Sequence, residues 1–211
     1  MVTINSIELK QRTALLVLDN GEKLTVTKAD LSESGFKAGD TVEKEVFSGF
    51  IRKYQYPGAI NMAVRMLAGR ACSTGEIMQK LRYHHYSEDV IDMVMLKLKK
   101  ENLLDDRDFS DQWVRYRAGC KYGSRRIIQE LKRKGVQDDT VYEAIGKLSY
   151  EQELDSASDI ARKGWIKRKP GENAAKTRQR VISALIRKGY SWDISKRASD
   201  IAENECCSSA E

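Results

Sequence analysis

Apolar residues along this chain keep two different spacings, and the change from one to the other divides it. Up to about Phe50 they fall in short runs suited to β-structure: Ile4, Ile7 and Leu9, then Ala14-Leu15-Leu16-Val17-Leu18, then Lys23-Leu24-Thr25-Val26-Thr27. Asp19-Asn20-Gly21 supplies residues that tolerate positive φ and predicts a hairpin between the last two runs. Lys28 to Leu31 reads as a helical turn, and Ala38-Gly39-Asp40 as a turn leading into a further extended stretch, Thr41 to Phe47. Pro57-Gly58 reads as the turn that closes this segment after Tyr56, and beyond it the period is helical.

Three stretches of the helical part are alike: Glu76 to Val94, Arg126 to Ile145 and Arg180 to Ala198. Leu81, Leu131 and Leu185 align. His85, Gly135 and Gly189 align at the helix stop, followed by the apolar Tyr86, Val136 and Tyr190. Ser87, Asp138 and Ser191 stand where the next helix needs an N-cap, Ser124 is placed to cap the helix after Gly123, and Ser73-Thr74-Gly75-Glu76 fits a capping box. Each stretch has a helix upstream, through Ala63 and Leu67, through Phe109, Trp113 and Tyr116 on a buried face, and through Leu154, Ala157 and Ile160. The expected fold is mainly α: three tandem three-helix repeats at 57–106, 107–150 and 151–205, preceded by a small β-rich N-terminal segment, 1–56, and followed by a flexible tail, 206–211. One such repeat is marginal alone, and stacking buries what it leaves exposed.

Charge changes the picture more than bulk composition does. The chain is 41% apolar and 32% charged with a net charge of +6, a globular composition biased toward acidic or polyanionic partners. Residues 1–56 are charge-neutral, so the excess belongs to the repeats. Between Arg115 and Lys134 lie Arg115, Arg117, Lys121, Arg125, Arg126, Lys132, Arg133 and Lys134 with Glu130 as the only acid. Between Arg162 and Lys188 a similar window holds Lys167, Arg168, Lys169, Arg178 and Arg187 among its cations, and Glu172 alone among acids. Ordinary helix surfaces mix signs at i, i+4, so two windows with a single acid each point to a cationic face that binds anions. Tyr122 and Trp165, near helix ends in these windows, suit either core packing or base stacking.

Chemistry is mostly excluded. The chain holds no phosphate-binding GxxxxGK[ST] loop. His84 and His85 are neighbours that diverge on a helix, so they read as a helix C-terminus and no metal is expected. Asp105-Asp106 reads as a capping turn. Cys72, Cys120, Cys206 and Cys207 lack metal spacing and suit a reducing cytoplasm. No signal peptide or bilayer-spanning run is evident. The reading is a non-enzymatic protein with no cofactor and no membrane partner.

Three motifs resemble the RecX family, regulators of the bacterial RecA recombinase: Arg70-x-x-Ser73-x-x-Glu76-Ile77-x-x-Lys80-Leu81, then Leu103-Leu104-Asp105-Asp106-x-x-Phe109, and then Gly123-x-x-Arg126-Ile127-x-x-Glu130-Leu131-x-x-Lys134-Gly135-Val136. The chain departs from the family pattern at His84-His85, in place of Lys-Gly, and at Asn102, where Gly is common. The resemblance implies an elongated curved array of the three repeats. It also implies binding in the groove of the RecA nucleoprotein filament, with inhibition of its ATPase and strand exchange, and contact with single- or double-stranded DNA without sequence preference; a monomer is expected. The alternative is a free-standing helical DNA-binding regulator.

Overall fold

The computed structural model describes residues 1–168 and 171–208, and the chain divides between Asp105 and Asp106 into two compact units. The first begins with β1 (Val2–Leu9), β2 (Thr13–Leu18) and β3 (Lys23–Thr27), which join β4 (Thr41–Val42) in one antiparallel sheet of order β3-β2-β1-β4. The hairpin forms where Asn20-Gly21 predicts it, with Gly21 at φ +82° and the Leu18 amide donating to the Glu22 carbonyl at 2.9 Å. Thr27 and Asp30 cap α1 (Lys28–Ser34) reciprocally, and Gly35 ends it in the left-handed region at φ +71°.

Two sequence expectations fail next. The extended stretch ends at Val42, and Val46 and Phe47 already belong to α2 (Lys44–Gly69). That helix runs straight through Pro57 and Gly58, so the expected turn is absent and residue 56 lies mid-helix. The reason is the buried stripe Phe47, Ile51, Gln55, Ala59 and Ala63, spaced four apart, whose burial outweighs the cost of an internal proline, about 3 kcal/mol. Gly58 serves packing instead: a Cβ there would lie 2.9 Å from the Tyr86 hydroxyl.

Gln55 joins three parts of this unit. Its buried Nε2 donates to the Thr25 carbonyl of β3 at 2.8 Å and to the His85 carbonyl at 3.1 Å, while its Oε1 accepts from the Ser87 amide at 2.8 Å. His85 and Ser87 lie in the turn between α3 (Thr74–Tyr83) and α4 (Glu88–Lys100). The Ser73–Glu76 capping box forms as predicted, with Ser73 fully buried. Ser73→Ala is therefore expected to lower the urea midpoint, by about 1 kcal/mol of stability, with an unchanged denaturant slope.

The second unit holds α5 (Asp106–Gly119), α6 (Ser124–Arg133), α7 (Asp138–Ile145), α8 (Tyr150–Ile166), α9 (Ala174–Arg187) and α10 (Trp192–Ser208). Phe109, Val114, Ile127, Leu131 and Val141 form one core cluster, and Ala157, Ala161, Trp165, Val181, Leu185 and Tyr190 another. The repeat is literal at the helix stops. His85, Gly135 and Gly189 take φ +60°, +74° and +94°, and the amides of Tyr86, Val136 and Tyr190 each return 3.2 Å to the carbonyls of the buried Leu81, Leu131 and Leu185. His85 and Asn102 (φ +54°) thus hold left-handed positions without glycine.

Two caps, the tail and one aromatic differ from expectation. Gly123, not Ser124, precedes α6, and the Ser124 amide is capped from α8 by Glu153 Oε1 at 2.7 Å. Asp138 lies inside the first turn of α7, where it faces the N-terminal dipole and pairs with Lys132. α10 continues to Ser208, into the expected tail, 206–211, whose last three residues lie outside the described residues, and Glu203 and Glu205 on it bond to Arg178 and Arg162. Tyr116 is 61% exposed rather than in the core.

Candidate nucleic-acid interface

On α6 the positions 125, 126, 129, 130 and 133 share one face by helical spacing. The C-terminal end of α9 lies against that face and closes a groove of about 410 Å3 lined by Arg125, Arg126, Arg133 and Arg187, with Gln129, Glu130 and Tyr190. Two glycines let the backbones meet. The Gly123 amide donates to the Lys188 carbonyl at 3.0 Å, and the Arg125 amide to the Gly189 carbonyl at 3.1 Å. A Cβ on Gly123 would lie 2.5 Å from the Gly189 carbonyl oxygen, and one on Gly189 2.6 Å from the Arg126 nitrogen.

Glu130 anchors the floor. It accepts from Arg117 at 2.5 and 2.6 Å, from Arg126 at 3.1 Å and from the Trp113 indole at 3.2 Å. Partial burial pushes its carboxyl up, but the bonds from Arg117, Arg126 and Trp113 outweigh this and hold it below the ordinary glutamate range. Tyr122 is packed among three cations, with Arg117, Arg126 and Lys188 at 4.0, 4.3 and 4.6 Å from its ring centre. Trp165 is buried, its indole donating to Ser199 at 3.3 Å, so it belongs to the core and offers no stacking surface.

The thirteen sequence-predicted residues divide accordingly. Arg125, Arg126, Arg133 and Arg187 come together in the groove, and Arg125, Arg133 and Arg187 form no ion pair among the described residues. Arg117 is turned inward onto Glu130, so it supports the groove from behind. Lys121 pairs with Asp159 at 2.6 Å, Lys132 with Asp138 at 2.9 Å, and Arg178 with Glu203 and Asp200. Lys134 lies over the Trp113 ring at 4.1 Å. Arg168 donates to the Glu172 carbonyl at 2.7 and 2.9 Å, and Lys167 is exposed at the end of α8. Arg115 lies in a different groove, with Val114 and Leu148, and Lys169 falls outside the described residues. The expectation of two uncompensated windows is thus corrected. Asp138, Asp159, Asp200 and Glu203 lie outside the basic windows or between their cationic stretches in the chain, yet folding brings them onto the cations. Sequence reading also missed Gln129 and Glu153, which carry no motif signal; their places follow only once α8 and α9 are set against α6.

Models of the RecX family match three stretches of the chain: its first three-helix domain at residues 59–98, its second at 105–145 and its third at 151–198. A protein named regulatory protein RecX from Mycolicibacterium smegmatis is 35% identical over 136 residues, covering 63% of this chain and 72% of that protein. The chain belongs to the RecX family. Another regulatory protein RecX, from Clostridium botulinum strain Eklund 17B, is 27% identical over 200 residues, or 93% of this chain and 94% of its own length. The fold is that of solved RecX structures. A crystal structure of regulatory protein RecX superposes with a TM-score of 0.64 at 20% identity over 95% of this chain and all of its own. RecX from Lactobacillus salivarius gives 0.65 at 21% identity over 70% and 96%. In RecX terms the arginine groove lies where α6 of the second domain meets α9 of the third. No helix of the described residues is long and apolar enough to cross a membrane.

Proposed function

We propose that this chain is a non-enzymatic modulator of RecA that binds in the groove of the RecA–DNA filament and inhibits ATP hydrolysis and strand exchange. RecX family membership supports the partner, and the arginine groove supports the mode of contact. One observation carries it: four arginines converge on one groove, and three of them form no ion pair among the described residues. Guanidinium groups donate in a fixed fork that matches phosphate oxygens, so such a groove suits a nucleic-acid backbone and ignores base sequence. The proposed division of labour keeps the segment 1–56 with the first repeat (57–106) and gives the DNA contact to repeats two and three (107–150 and 151–205), in a monomer working in the cytoplasm.

Single-stranded-DNA-dependent ATP hydrolysis by RecA, measured with and without the chain, tests this. The rate is expected to fall toward zero as the chain approaches stoichiometry with filament sites; an unchanged rate overturns the reading. The same groove would serve a free-standing DNA-binding regulator. That alternative predicts selective binding to one duplex sequence and no effect on RecA.

A further inference from the structure

The second groove of this unit runs beside α5, bounded by the end of α7 and the start of α8, and is the larger of the two at about 510 Å3. Its chemistry is the opposite of the arginine groove. Val114, Ala118, Ala144 and Leu148 make an apolar floor that offers phosphates nothing, and it is too roomy for one side chain to fill. Charge appears only at the rim, where Asp111 and Lys147 pair at 2.5 Å and so offset each other. Arg115 is left exposed on that rim with no ion pair among the described residues.

We propose that this groove receives a short amphipathic helix, with apolar anchors on successive turns and one carboxylate that meets Arg115, contributed by the protein that forms the filament. The class follows from the lining. A trough walled by three helices accepts the i, i+3, i+4 stripe of a fourth, and a single uncompensated cation at its edge selects an acidic flank over a basic one. This rests on the RecA reading above. It separates protein recognition, on α5, α7 and α8, from phosphate recognition, on α6 and α9.

Two substitutions fill the groove without touching the arginine site. A side chain on Gly119 meets nothing within 4 Å of its Cβ, and Ser156 is a half-buried lining residue. G119L and S156L are compared with the unaltered chain by anisotropy on labelled single-stranded DNA, naked and coated with RecA and a non-hydrolysable nucleotide. Both variants are expected to bind naked DNA as the unaltered chain does and to bind coated DNA about tenfold more weakly. Circular dichroism melts identify any variant that has lost its fold, in which case the other decides. Unchanged binding to coated DNA, or an equal loss on naked and coated DNA, overturns the helix-docking proposal alone. An unaltered chain that binds coated DNA no better than naked DNA overturns the RecA reading, and this proposal with it.

Discussion

Reversal of Arg125, Arg133 and Arg187 to Glu together is expected to abolish inhibition of RecA and to weaken binding to naked single-stranded DNA roughly a hundredfold or more at low salt. The loss comes from two sources: three phosphate contacts disappear, and three carboxylates repel the backbone that the groove admitted. If each arginine neutralises one phosphate, the slope of log affinity against log salt becomes shallower by about 2. The fold is expected to survive, because these three side chains are exposed and hold no ion pair among the described residues. Arg117 is different: it is turned onto the half-buried Glu130, so its reversal would disturb the repeat itself and say little about DNA. A triple variant that still inhibits fully would remove the phosphate-contact mechanism.

Gly189→Ala is expected to be the most damaging single methyl in the second unit. Gly189 sits at φ +94°, where an L side chain costs about 1–2 kcal/mol. Its added Cβ would also lie 2.6 Å from the Arg126 nitrogen, and closer still to the Arg126 Cβ, neither of which can swing aside. Overpacking of this kind adds about 1–3 kcal/mol. The helices must part, and with them the bonds from Gly123 to Lys188 and from Arg125 to Gly189. A fall in melting temperature of about 10 °C or more follows for a unit of this size. Gly35→Ala is the control: it shares the positive φ, at +71°, but meets nothing within 4 Å. Equal losses at the two positions would show that backbone conformation alone matters and that the close approach does not.

These two cases also mark what the residues disclosed unaided. The repeat was readable because Leu81, Leu131 and Leu185 stand at one fixed place before a helix stop, and a 6→1 bond forms there each time. That signal is local, within six residues. Hairpin residues Asn20-Gly21 and the Ser73–Glu76 cap were readable for the same reason. What failed was read against a longer-range competitor. Pro57-Gly58 has turn chemistry, but the stripe from Phe47 to Ala63 and the Tyr86 ring decide its conformation. The cationic windows were visible, yet which arginines stay open depends on acids brought in from elsewhere along the chain. Arg178 and Arg187 look alike in sequence, and the positions of Asp200 and Glu203 on α10 separate the neutralised one from the available one.

The buried amide of Gln55 has a consequence for how the first unit comes apart. One side chain satisfies two carbonyls and one amide, drawn from a strand and from the turn between two helices, in a place water does not reach. Peeling the sheet away would break the bond from Gln55 to the Thr25 carbonyl and that from the Thr25 amide to the His85 carbonyl, and would open the remaining bonds of Gln55 to water. The N-terminal strands are therefore expected to melt together with the helices they lie on, as one thermodynamic body.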